Sequence, residues 1–387
     1  MTSPYGADMT PDKSLYDLAS RVFAGHMVML REHFRCVPPI ISYSNQFYGG
    51  AIQPLRIPRP SERLDPPLVD IYVKDGVRNK KGCNKLEAEA IVEEIQALIN
   101  DDKYAGRSIG VVTLLGGMEQ AKFIDSLVRE RCPAVELHAR EFACGDASTF
   151  QGSERDIIFI SMVADPENCL PLSGIAAEQR FNVAASRARD RMYLIRSVTL
   201  DHLSLKDVRR TLLEYFSKPL TEQEVDQDGL IKLCESGFEQ QVFSRLVERG
   251  YRVIPQVKSG AFRLDMVVEG ANDNRLAIEC DGDAFHGPDR WEADMNRQRI
   301  LERAGWTFWR CFASSWSMHK EEIFGELLQR LAELGIEPTN ALEKLPAVVE
   351  LREWASAVST SMEEDDEDIG ELTVPPATGE EQQVLAI

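Results

Sequence analysis

From about residue 67 onward the sequence alternates short β-rich apolar runs with amphipathic helical stretches. That order suits a parallel sheet clothed in helices, because each parallel strand needs a crossover before the next can pair with it. PLVDIYVKDG has strand character, Asn84 stands where it can cap a helix over KLEAEAIVEEIQALI, and SIGVVTLL is almost wholly apolar, as a strand buried on both faces must be. The pattern then predicts a helix over GGMEQAKFIDSLVRER, strands over AVELHAR and DIIFISMV, a helix over AAEQRFNVAASRAR and a strand over RMYLIRS, one α/β domain spanning residues 1–215. The polar stretch SKPLTEQEVDQDG, with Pro219 and Gly229, predicts a linker over 216–229. A second unit follows over 230–335. It has an amphipathic helix over FEQQVFSRLVERG, with Phe238, Val242 and Leu246 on one face, and strands over YRVIPQV, AFRLDMVV and RLAIECDG. A helix over RWEADMNRQRILERAG, a strand over WTFWRCF and a helix over HKEEIFGELLQRLAEL complete it. Residues 336–387 are expected to finish the chain as a helix and an acidic tail, disordered in composition from about residue 359.

The net charge of −19 argues against a phosphate-rich partner, since phosphate binding draws its affinity from Lys and Arg. Its distribution weakens that objection. Ten acidic residues and no basic one follow Arg352, so about half of the charge belongs to the tail. No apolar run approaches the roughly 20 residues that a membrane span needs, and MTSPYGADMTPDKS lacks the charged and apolar regions of a signal peptide. A cytoplasmic protein with no membrane partner is therefore expected. The eight cysteines include no C-x-x-C pair, so neither a zinc ribbon nor a disulfide framework is indicated and reduced thiols are the simplest reading.

Chemistry concentrates in the second unit. Strand alternation sends Glu279 and Asp281 to one face while Cys280 turns to the other. The polar turn EGANDNR joins this strand to FRLDMVV, and a hairpin of that length brings Asp265 beside Glu279. Carboxylates at a strand end are ordinarily solvated. The apolar run LAIEC leading into Glu279, however, describes a buried strand, and a carboxylate closing such a strand needs a partner. Oxygen-rich clusters suit Mg²⁺, which polarises a phosphodiester and lowers the pKa of an attacking water. Helix residue Glu239 is placed to add a further oxygen.

Residues Gly237 to Phe312 resemble the PD-(D/E)XK nuclease superfamily, in particular its branch near the very-short-patch-repair (Vsr-like) endonucleases. The matching residues are Glu239, Asp265 in RLDMVV, Glu279-Cys280-Asp281-Gly282, Phe285-His286, Asp294, Arg297 and Gly305-Trp306. The resemblance implies that Asp265 and Glu279 are the principal metal ligands and that His286 assists proton transfer or contacts the scissile phosphate. Glu239 and Asp281 would complete the catalytic set. Asp281 stands where the wider superfamily usually has lysine, which leaves the general base open. Arg297 is either a nucleic-acid contact or, with Asp294, an ion pair on a helix face.

Residues 1–215 resemble the second RecA-like domain of superfamily 1 helicases of the group that includes nonsense-decay and Okazaki-processing enzymes. LREHFRCVPPIISYSNQFYGG resembles motif IV, STFQGSERDIIFISMV motif V and RFNVAASRARDRMYLI motif VI. By that resemblance Arg187 is an arginine finger for the γ-phosphate, Arg35 a second phosphate contact, Gln151 and Glu154 parts of a nucleotide-proximal loop, and Thr113 a residue facing the nucleic-acid backbone. The sequence holds no G-x-x-x-x-G-K-[ST] phosphate loop. ATP is thus expected only with a partner chain carrying the first, ATP-binding RecA-like domain, and ATP hydrolysis is not expected from this chain alone.

Together these readings predict an α/β protein: a RecA-like parallel sheet domain, a smaller α/β nuclease domain and an acidic tail. The leading expectation is a Mg²⁺-dependent DNA endonuclease attached to part of a helicase and acting in DNA processing, repair or defence. Two other classes stay open. One is a non-catalytic remnant that binds nucleic acid or a partner; the other is a subunit that supplies Arg187 to a separate ATPase.

Overall fold

The run Ile109–Thr113 is buried at every position, and a strand with no polar face belongs inside a sheet covered on both sides. The computed structural model places it there. It describes residues 15–115, 117–167, 169–217, 227–259, 262–271, 273–282, 288–340 and 347–355, with the backbone alone for 17, 117, 227, 228 and 288–295. In chain order the strands are β1 (Glu32–His33), β2 (Gln53–Pro54), β3 (Leu68–Val73), β4 (Ile109–Thr113), β5 (Ala143–Asp146), β6 (Arg155–Ser161), β7 (Ala188–Arg196), β8 (Arg252–Ser259), β9 (Phe262–Glu269), β10 (Arg275–Asp281), β11 (Phe308–Phe312) and β12 (Val349–Trp354). The six-stranded sheet runs β12-β3-β7-β6-β4-β5 and is parallel throughout. It is the RecA-like sheet that the sequence led us to expect.

Alternation divides its core into two layers. Ile158, Ile160, Met192 and Leu194 pack with Ile40, Phe181 and Phe216 from the helices Pro38–Asn45, Ile175–Ala185 and Val208–Ser217. Their neighbours Ile157, Phe159, Tyr193 and Ile195 face Ile91, Ile95, Ile124 and Val128 of the helices Lys85–Ile99 and Gly117–Arg131. The first of those two helices starts where the sequence placed its cap, with the Asn84 side chain accepting from the Glu87 amide at 3.2 Å.

One element is corrected. AVELHAR, expected as a strand, is the helix Ala134–Ala139 with Pro133 at its N-cap, and the strand follows as Ala143–Asp146. Proline suits a helix start, where a missing N–H costs nothing. The true strand is a partly buried edge with one fully buried residue, so its sequence carries no apolar run to announce it. The strand β12 was not anticipated either: it returns to pair with β3 from Val349↔Leu68 to Trp354↔Val73. Most of the linker expected over 216–229, and the acidic tail beyond 355, lie outside the described residues.

The second sheet runs β11-β10-β9-β8, antiparallel except for the parallel pair β10–β11. Met266, Val268, Leu276 and Ile278 pack under the helices Gly237–Glu248 and Ala313–Glu333; Val267 and Ala277 meet Leu301 of the helix Pro288–Arg303 and Trp306. The two sheets are tied at Glu269. This carboxylate is 3% exposed and accepts from Arg63 at 2.5 and 3.2 Å and from Arg252 at 3.2 Å. Nearby, Arg275 donates to the Ile57 carbonyl at 2.9 Å with its guanidinium 4.0 Å from the Trp306 ring centroid. Among the described residues no helix is long and apolar enough to cross a membrane.

Removing one partner of a buried ion pair leaves the other charge desolvated and unpaired. Glu269→Ala is expected to destabilise the chain by about 3 kcal/mol, read as a lowered denaturant midpoint; an unchanged midpoint would show that this joint is not structural.

Candidate active site

The geometry begins with register. β9 and β10 pair from Glu269↔Arg275 to Met266↔Ile278, and one further step sets Asp265 opposite Glu279. Opposed residues of an antiparallel pair share a face, so the hairpin brings these two carboxylates together. Asp265 Oδ2 accepts from the Cys280 amide at 2.7 Å. Glu279 is 4% exposed and takes both terminal nitrogens of Arg297 at 2.9–3.2 Å, while Arg297 also donates to the Arg263 carbonyl at 2.6 Å. Arg297 is thus paired with Glu279. The side chain of Asp294, its alternative partner, lies outside the described residues.

Burial pushes the Glu279 carboxyl up to about 7; Arg297 opposes the shift and Asp265 adds to it. Asp265 is raised as well, mainly by burial, with Glu239 and Asp281 repelling its charged form and the Cys280 amide and Arg297 favouring it. Cys280 turns into the apolar layer with Ile278, as alternation required. Asp281 holds Arg310 through two contacts of 3.0 Å. Arg310 comes from β11, at the position paired with Glu279, and reaches Gln298 at 3.2 Å. Arg310 is not legible from the sequence, because which residue of a neighbouring parallel strand stands beside Glu279 depends on a register set through the intervening helix.

Glu239 is also close to Asp265, and at 5% exposure it is buried. Its oxygens are engaged at the start of its own helix. Ser236 caps the helix Gly237–Glu248 by accepting from the Glu239 amide at 3.1 Å, and Glu239 accepts from the Ser236 hydroxyl at 2.8 Å and the Glu235 amide at 3.0 Å. A further contact comes from Gln256 Nε2 at 2.7 Å, a residue the sequence did not single out. Phe285 and His286 lie outside the described residues. Trp306 is 4% exposed and belongs to the core.

Asp265 and Glu279 fit a hard divalent cation in donor type and charge: both are oxygen ligands, and burial raises the pKa of both, so a bound cation would favour their charged forms. Among the described residues no three His, Cys, Asp or Glu side chains are already arranged around a common point. A cation here would take over part of the contact that Arg297 now makes.

The first sheet carries a second cluster. Arg35 pairs with Glu154, which also lies 3.7 Å from Arg189. Arg187 spends its guanidinium on the carbonyls of Val183, Phe150 and Ser153 at 2.9–3.3 Å and on the Ser186 hydroxyl at 3.1 Å. Its pKa is lowered, chiefly by burial and then by Arg35, so the two arginines are neighbours. Gln151 lines a groove of about 740 Å³ with Thr113, Ser148 and Arg180 at the ends of β4 and β5. Thr113, expected to face a nucleic-acid backbone, is 1% exposed and its hydroxyl reaches the Gly145 carbonyl at 3.5 Å, because β4 lies inside the sheet. It sits in the floor of the groove rather than on its rim.

Residues 12–199 match the family model of an AAA domain, AAA_12, and residues 238–331 match that of REase_MTES_1575. The chain joins a helicase-type AAA domain to a restriction-endonuclease-like domain. A curated relative, the uncharacterized ATP-dependent helicase MG140 homolog of Mycoplasma pneumoniae, is 24% identical over 306 residues, covering 70% of this chain and 26% of that protein. The chain therefore spans about a quarter of that relative's length. A solved structure, the C-terminal domain of a possible DNA helicase from Lactobacillus plantarum WCFS1, matches 45% of this chain and 99% of its own at 12% identity and a TM-score of 0.27.

The raised Glu279 carboxyl in the restriction-endonuclease-like domain has a stability signature. A group whose folded pKa exceeds its ordinary 4.5 favours folding below that value, and the advantage is lost as pH rises toward about 7. Without divalent cations, the parent chain should lose stability relative to Glu279→Gln as pH rises through that window. Parallel curves for the two proteins in urea titrations would contradict the burial of this charge.

Proposed function

We propose that the chain is a Mg²⁺-dependent DNA endonuclease joined to the second half of a superfamily 1 motor. The observation that carries this reading is the placement of Asp265 and Glu279 on the β9–β10 hairpin, one step beyond Met266↔Ile278, with Arg297 tied to Glu279 and Arg310 to Asp281. Asp265 and Glu279 would hold the ion, which, when bound, polarises the phosphodiester and acidifies an attacking water. Arg297, released from one Glu279 oxygen, is placed to contact a non-bridging phosphate oxygen, and bidentate guanidinium recognition suits that group. Asp281 acts by positioning Arg310, which supplies the positive charge that lysine provides in most of the superfamily. Eight free cysteines support a reducing, cytoplasmic setting.

The AAA domain would deliver the strand. Arg35 and Arg187 are read as contacts to the γ-phosphate of a nucleotide held by a separate RecA-like domain, and the groove over Thr113 and Gln151 as part of the nucleic-acid path. The curated relative's description as an ATP-dependent helicase supports this half of the proposal. The adjacency of Arg35 and Arg187 also favours a second reading, in which supplying an arginine finger to a partner ATPase is the chain's main task.

On supercoiled or single-stranded DNA with Mg²⁺, Asp265→Ala and Glu279→Ala are each expected to lower cleavage on the order of a hundredfold or more, as loss of several kcal/mol of metal-borne charge stabilisation requires. Undiminished cleavage by either variant would remove the metal-site assignment. Cleavage absent from the unaltered chain, together with Arg187-dependent stimulation of a partner's ATPase, would favour the second reading.

A further inference from the structure

Gln256 lies in the middle of β8, directly across from Asp265. The antiparallel ladder runs through Pro255↔Met266 and resumes at Val257↔Leu264, and the rung between them is missing. It is missing because Gln256 has a φ of 53°, the left-handed region. A side chain strains this backbone, and no turn calls for it within a strand. Such strain persists where the surrounding structure imposes it and is concentrated at functional sites.

The side chain has two ends with different fates. Nε2 donates to Glu239 at 2.7 Å, and a carboxylate can only accept, so the amide orientation is fixed by its partner. That leaves Oε1, which is buried and has no hydrogen-bond partner. An orphaned buried acceptor gives up its hydration with nothing in return. The charged group the side chain touches, Glu239, is itself an acceptor, and Asp265 holds the facing position across the gap in the ladder. A carbonyl oxygen there needs a donor hydrogen or a cation, and a cation would also favour the neighbouring carboxylates.

Glu239 is the residue whose helix position suggested an additional oxygen ligand, but its own oxygens already serve Ser236, the Glu235 amide and Gln256. We propose that Gln256 Oε1, and not Glu239, supplies the additional oxygen of the divalent-cation site formed by Asp265 and Glu279, and that the left-handed backbone is retained to present it there. The inference rests on the metal-site reading above. It makes the ligand set two carboxylates and one neutral oxygen, so that a divalent ion is balanced without excess negative charge, and Glu239 becomes a positioning residue that anchors the amide.

The test is Mn²⁺ titration of the full chain by calorimetry, alongside thermal midpoints measured without divalent cations. Gln256→Gly should weaken Mn²⁺ binding about tenfold, the scale found for supporting groups at metal sites. Its midpoint should hold or rise, since glycine adopts the left-handed backbone freely. Gln256→Glu, which keeps an oxygen in place, should bind Mn²⁺ at least as tightly as the unaltered chain. A Gly variant that melts lower yet binds Mn²⁺ unchanged would make Gln256 a purely structural brace and overturn the proposal. If Mn²⁺ binding is lost in Asp265→Ala but indifferent to Gln256, only this assignment fails; if binding is indifferent to Asp265 as well, the metal-site reading falls with it.

Discussion

Two carboxyl groups set on neighbouring strands are the constraint on which the second half of this protein turns. The β9–β10 ladder runs as far as Met266↔Ile278, and because both faces of these strands are buried, a slip by one residue would exchange the side chains of the two apolar layers and break up the placement of Asp265 and Glu279 one step beyond. Burial raises the pKa of both carboxyls, and Arg297, paired with Glu279, opposes that shift. Capping, packing and the Asp281–Arg310 pair all act around that fixed pair, so the local structure reads as a scaffold for unneutralised oxygen.

The placement of this scaffold matters as much as its chemistry. β12 follows the restriction-endonuclease-like domain in sequence yet completes the edge of the parallel sheet, so the smaller sheet is tethered to the AAA domain at both of its ends. The Arg63–Glu269–Arg252 cluster and the Arg275–Trp306 contact add a side-chain joint between the sheets.

Much of the fold can be read from the sequence because burial leaves local marks. Near-continuous apolar runs mark β3, β4, β6 and β7, a polar cap at Asn84 marks a helix start, and strand parity with hairpin length places Asp265 near Glu279. What escapes is decided at a distance. AVELHAR has the apolar spacing of a strand but follows a proline that begins a helix, and β5 is an edge with almost no apolar signal. β12 owes its state to β3, far away in the chain. Arg310 enters the cluster through parallel register, and Gln256 through a backbone conformation that no residue type other than glycine announces. The contacts of Glu239 with the Ser236 hydroxyl and the Glu235 amide at the start of its helix come from local side-chain geometry that periodicity does not reveal.

If Asp265 and Glu279 share one divalent ion, a crystal of the chain grown with Mn²⁺ and measured at the manganese absorption edge will show an anomalous peak between the two carboxylates, with Arg297 withdrawn from at least one Glu279 oxygen. An empty map there, with both arginine contacts intact at saturating Mn²⁺, would contradict it.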